Sequence, residues 1–94
     1  MYKIININFE TEIEFQQQMA EHADTIHNNT LYGIDEAFNT DDDVTFVAFL
    51  NHDSMMAIPK DLWLENLENT LQYFISTEEY EKCSEVKQLV DKIS

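Results

Sequence analysis

Three histidines, one cysteine and a run of three aspartates are the residues of this 94-residue chain whose chemistry could be put to work. His22 and His27 stand five residues apart, a spacing that turns their rings to different faces of a helix and suits them poorly to sharing a metal ion. His52 precedes Asp53 in the polar tetrad Asn51-His52-Asp53-Ser54, where the pair could exchange a proton or be no more than a solvated turn. Asp41, Asp42 and Asp43 could hold calcium loosely, yet they lack the alternating ligands, central glycine and distal glutamate of an EF-hand loop. An acidic turn facing water is the simpler reading. Cys83 falls on an apolar stripe without a neighbouring histidine, which favours a small core residue over a nucleophile. The single glycine, Gly33, excludes phosphate-cradling loops, which need several. The expectation is a chain that is not an enzyme and has no metal and no cofactor.

The elements that would position these residues follow from periodicity. MYKIININF is rich in isoleucine and aromatics and reads as a strand, with Tyr2 and Ile4 towards one side and Ile5, Ile7 and Phe9 towards the other. Thr11 followed by Glu14 matches a capping box, and Phe15, Met19, Ala23 and Ile26 then recur at helical spacing. That helix is expected to stop in the polar run His27-Asn28-Asn29-Thr30. Residues 31–43 read as a connection, with a helical turn around Asp35 to Phe38.

DVTFVAFL is apolar on both faces, as a central strand would be. The tetrad at Asn51 reads as a turn and MMAI as the second arm of a hairpin. Met55 and Met56 are then strand and core residues, or else an adaptable contact patch. Pro59 ends the hairpin, and Asp61 is the expected N-cap of a helix from Leu62 to about Ile75, with Leu64, Leu67 and Leu71 on its apolar stripe. Ser76 and Glu79 form a second capping-box pattern that opens a last helix, which carries Tyr80, Cys83, Val86, Val90 and Ile93 along one side. The expected fold class is α+β: a two-layer domain in the order β-α-β-β-α-α, an antiparallel sheet covered by helices, and a C-terminal helical hairpin.

A chain this short can bury one core, so residues 1–94 form one domain, an acidic part over 1–59 and the hairpin part over 60–94. With 44% hydrophobic and 12% aromatic residues it has the apolar material to fold. No basic segment followed by an apolar run opens it, and no roughly 20-residue apolar stretch occurs, so export by a signal peptide and a membrane span are not expected. One cysteine permits no internal disulfide, and a reducing cytoplasmic setting fits.

Charge is the outstanding feature: 19 acidic residues oppose 5 lysines, for a net charge of −14. Direct nucleic-acid binding is not expected, because it needs cations to displace condensed counterions, and attraction to anionic lipid is equally disfavoured. A protein partner with a basic surface is the expected complement.

From Leu64 onward, LENLENTLQYFISTEEYEKCSEVKQLVDKI resembles the UVR motif, a helical hairpin of nucleotide-excision-repair subunits B and C and of related adaptors. The resemblance lies in Leu67 and Leu71, then Glu79-Tyr80-Glu81, the small pair Cys83-Ser84, Glu85-Val86-Lys87 and Ile93, and covers residues 64–93. The chain departs from the pattern at Lys87, where the family usually has arginine, and at Cys83-Ser84, where it often has two alanines. The resemblance implies a docking element and carries no implication of repair activity. Any short helical hairpin would also favour these residue types.

Two readings of function follow. In the first, the chain is a non-catalytic interaction protein that docks a protein partner through the hairpin, with Trp63, Tyr73 and Tyr80 as contact residues. Core packing is the competing use of each, most strongly of Tyr80, and leftover apolar surface admits a homodimer. In the second, the chain is a nucleic-acid mimic, composed like virus-encoded inhibitors of restriction and of RNA-guided defence. Glu10, Glu12, Glu14, Glu21, Asp24, Asp35, Glu36, Asp41, Asp42 and Asp43 would then stand in for phosphates. The same acids could equally serve solubility.

Overall fold

Thr11 opens the first helix as expected: its hydroxyl accepts the Glu14 amide at 3.1 Å. The computed structural model describes residues 5–94, so the expected strand positions Tyr2 and Ile4 lie outside the described residues. The elements are β1 (Asn6–Ile7), α1 (Glu12–Glu21), α2 (Ala23–Asn39), β2 (Val44–Leu50), β3 (Ser54–Pro59), a 3₁₀ turn (Lys60–Leu62), α3 (Trp63–Ser76) and α4 (Tyr80–Ile93).

The largest correction is α2. The expected stop at His27 to Thr30 and most of the expected connection lie in one helix that runs to Asn39, and only residues 40–43 remain a connection before β2. Its polar residues are compatible with burial because each is satisfied: the Asn29 side-chain amide donates to the Val47 carbonyl at 3.0 Å, and the Thr30 hydroxyl donates to the Ile26 carbonyl at 2.8 Å. Around them Ile26, Leu31, Gly33, Ile34 and Ala37 form a buried face.

That helix also changes the sheet. Parallel strands need a long, usually helical, crossover, and α1 with α2 supplies one. β1 therefore runs parallel to β2, pairing Asn6 with Phe49 and Ile7 with Leu50, while β2 and β3 are antiparallel. The sheet is mixed, with β2 central in the order β1-β2-β3, rather than antiparallel throughout. The element order is β-α-α-β-β-α-α.

A bulge interrupts the β2–β3 register between Phe46 and Ala48, so consecutive Val47 and Ala48 are both buried. Leu31, Ile34, Val47, Ile58, Trp63, Leu67, Phe74, Cys83, Val86 and Leu89 make up most of the main core. A smaller cluster joins Ile7, Ile26 and Ala48, with Phe9 packed edge-on against Phe15, centroids 4.8 Å apart.

The C-terminal helical hairpin is present, but its joints differ from the expected caps. Asp61 lies in the 3₁₀ turn, and α3 starts at Trp63 with no side-chain cap. Ser76 belongs to α3, and its hydroxyl bonds the Tyr73 carbonyl instead of capping α4. The break is a left-handed turn. Glu78 has φ 59°, and the amides of Glu78 and Glu79 return to the carbonyls of Ile75 and Phe74 at 3.1 and 2.9 Å. The same pattern ends α2: Asp41 has φ 62°, with the Asp41 and Asp42 amides reaching Phe38 and Ala37.

Candidate interaction surfaces

Of the residues singled out for chemistry, Asp41, Asp42, Asp43, His52 and Asp53 are exposed. Cys83 is buried in the main core. His52 shares the left-handed hairpin turn with Asn51, and its partner is Asn6, whose side chain accepts the His52 amide at 2.8 Å and meets the ring at 3.1 Å. Asp53 takes a 3.4 Å bond from the Ser54 hydroxyl. Among the described residues no cluster of three or more His, Cys, Asp or Glu could hold a metal ion.

His27 enters an arrangement that its sequence position does not announce. Its ring stacks on Tyr73, and its Nδ1 lies 2.9 Å from the Thr70 hydroxyl, so α2 and α3 meet through it. Burial lowers its pKa, opposed by the nearby Asp24 carboxylate. Burial also raises the Tyr73 phenol, assisted by the charges of Asp24 and Glu79 and by a hydrogen bond with Asp24. Lys82 completes this side of the junction: it bonds the Asn28 side chain, lies 3.5 Å from Glu79 and sits over the Phe74 ring.

The three expected contact residues part company. Trp63 is 0% exposed, and its indole N–H donates to the Ile58 carbonyl at 3.0 Å, so it presents no surface. Tyr73 is half-buried against His27. Tyr80, the one expected to close the core with Cys83, is 64% exposed.

An exposed apolar surface does exist on the hairpin, on other residues. Leu64 and Ile75 are 44% and 42% exposed and stand eleven residues apart, three helical turns, which puts them on one face of α3 with half-buried Leu71 between them. Tyr80 follows at the start of α4. Exposed Glu65, Glu68 and Glu78 border this stripe in sequence.

The acidic set is a surface feature. Asp35 is half-buried and pairs with Lys92 at 3.4 Å, whereas the other nine are exposed and none forms an ion pair among the described residues.

Among the described residues the sheet has one covered face. Val47, Ala48 and Ile58 turn towards the helices and are buried; Val44, Phe46 and Met55 point the other way and are exposed. From Val44 to Pro59 the only charged residue is Asp53, in the hairpin turn.

No protein-family model matches this chain, and comparison with curated proteins and with solved structures returns no match. Among the described residues no helix is long and apolar enough to cross a membrane.

Proposed function

We propose that this chain is a non-catalytic, acidic protein–protein interaction module that docks a protein partner through the outer face of the α3–α4 hairpin. The observation that carries this reading is the Leu64–Leu71–Ile75 face of α3, exposed at Leu64 and Ile75, with exposed Tyr80 at the start of α4 and exposed carboxylates adjacent to these residues in sequence. An apolar face accompanied by negative charge complements an amphipathic segment that carries Lys or Arg beside its apolar face. The UVR-like pattern over residues 64–93 supports the same surface, with Tyr80 as a contact, Trp63 tying α3 to Ile58 and Tyr73 tying it to His27. A cytoplasmic setting and a basic partner go with this reading.

The test compares proteins captured from a native lysate by the wild-type chain and by a Leu64→Ser, Ile75→Ser, Tyr80→Ser variant. All three positions are exposed, so the fold should survive. The expected result is a partner lost from the variant and retained by the wild type at roughly 0.5 M salt, where screening leaves only short-range electrostatics.

The nine exposed acids, none in an ion pair among the described residues, favour a second reading, a nucleic-acid mimic that fills a basic groove. Its signature would be the opposite: a partner released by salt, competed off by DNA or RNA, and lost on changing Asp41, Asp42 and Asp43 to Asn.

A further inference from the structure

Among the described residues β3 forms the outer edge of the sheet, and one backbone bond fixes the direction of its outward hydrogen-bonding groups. The Lys60 amide donates inward to the Asp43 carbonyl at 2.8 Å. Inward and outward groups alternate along an antiparallel strand, so Ile58 and Met56 also face β2, whereas Met55, Ala57 and Pro59 turn their backbone groups away from the sheet. All three outward residues are exposed. Pro59 has no N–H to offer, as suits a proline on an edge strand, and it limits the free edge to the amides of Met55 and Ala57 and the neighbouring carbonyls.

Beside this edge, on the helix-covered side, lies a cleft of about 440 Å³. Met56, Ala57 and Ile58 form one wall, Met19 and Ala23 a second, and Asn66 on α3 a third. Carboxylates flank the walls in sequence: Glu21 and Asp24 on either side of Ala23, and Asp61 and Glu65 on either side of Leu62, which also lines the cleft. A strand added to β3 would place alternate side chains over the cleft, and the carboxylates next to the lining residues in sequence would favour positive charge at its ends.

From this juxtaposition we infer that the β3 edge and its cleft form a second docking site, one that takes an extended peptide segment by strand addition, with apolar side chains at alternate positions and Lys or Arg flanking them. The backbone bonds to Met55 and Ala57 give affinity, the cleft selects the apolar side chains, and the carboxylates next to its lining residues in sequence select the basic flanks. This site is separate from the α3–α4 face and does not depend on it.

A display library of random nine-residue peptides, panned against the full chain at low salt, supplies the probe. The selected peptides should alternate apolar residues between basic flanks, and they should slow hydrogen exchange at the Met55 and Ala57 amides. Ala57→Pro removes one outward amide without touching a β2–β3 hydrogen bond, and binding should fall by about tenfold or more. N-methylation of the selected peptide at alternate residues should cause a similar loss while leaving the protein unchanged, which keeps the test decisive if Ala57→Pro disturbs the fold. The proposal is overturned if no selected peptide protects these two amides, or if N-methylated and parent peptides bind equally. It is also overturned if the two amides become protected with rising protein concentration alone, which would give the edge to a second copy of the chain.

Discussion

The imidazole of His27 lies flat on the phenol ring of Tyr73, centroids 4.4 Å apart and planes 17° from parallel, so α2 and α3 are joined by two titratable rings that both resist ionisation. Each ring makes stability depend on pH in its own direction.

Burial holds His27 below its ordinary value of 6.5. As pH falls, the unfolded chain takes up this proton before the folded one does, so the folded state is fully favoured above about 6.5 and loses stability as pH drops through that value towards the folded pKa. Urea midpoints should decline between about pH 7 and pH 5, and His27→Gln should flatten that decline. An unchanged slope in the variant would show that other groups set the acid limb.

Tyr73 acts at the alkaline end. Burial, then the charges of Asp24 and Glu79, raise its phenol above 10.0. The unfolded chain loses this proton first, so the contribution is present below about 10 and disappears as pH rises from there to the folded pKa. In an ultraviolet titration of the four tyrosines, Tyr73→Phe should remove a late-ionising component; loss of an early one would contradict the packing.

Glu78 and Asp41 occupy left-handed positions that glycine fills without a Cβ penalty. Glu78→Gly should raise unfolding free energy by about 1 kcal/mol, and Asp41→Gly by less, since aspartate tolerates this region better than glutamate. Denaturant curves would show the gain as a higher midpoint at constant slope, and a lower midpoint for Glu78→Gly would sink the prediction.

Trp63 should behave as a core residue. Trp63→Ala is expected to cost about 3–5 kcal/mol, and Trp63→Phe less, losing chiefly some packing and the bond to Ile58. As the sole tryptophan it reports on itself: its emission should be blue-shifted and poorly quenched by acrylamide until the chain unfolds.

Much of the fold was legible because its signals are local. The β2–β3 hairpin shows in the apolar run and polar turn around Asn51, and α3 and α4 show in their three- and four-residue spacing. Asn29 and Thr30 misled because polar residues in succession resemble a helix stop, and only the Val47 carbonyl across the domain makes a buried Asn29 favourable. The break after α3 lacked its usual glycine, so Ser76 and Glu79 took the eye while Glu78 made the turn. Of the contact surface, Tyr80 was legible as a candidate; Leu64 read as core because it shares the helical period of Leu67 and Leu71, and the orientation of a stripe is set by what packs against it.

By itself, the sequence determined an acidic α+β chain with a buried Cys83 and a helical pair at its C-terminus, since charge, composition and period-3.6 spacing are properties of short stretches. The tertiary structure alone decided that β1 runs parallel to β2, that Trp63 is inside and Tyr80 outside, and that the β3 edge lies open beside a cleft. The parallel pairing follows from α1 and α2 crossing from β1 to β2, and α2 then packs on β2 and on α3, an arrangement of residues far apart in sequence that no local pattern encodes.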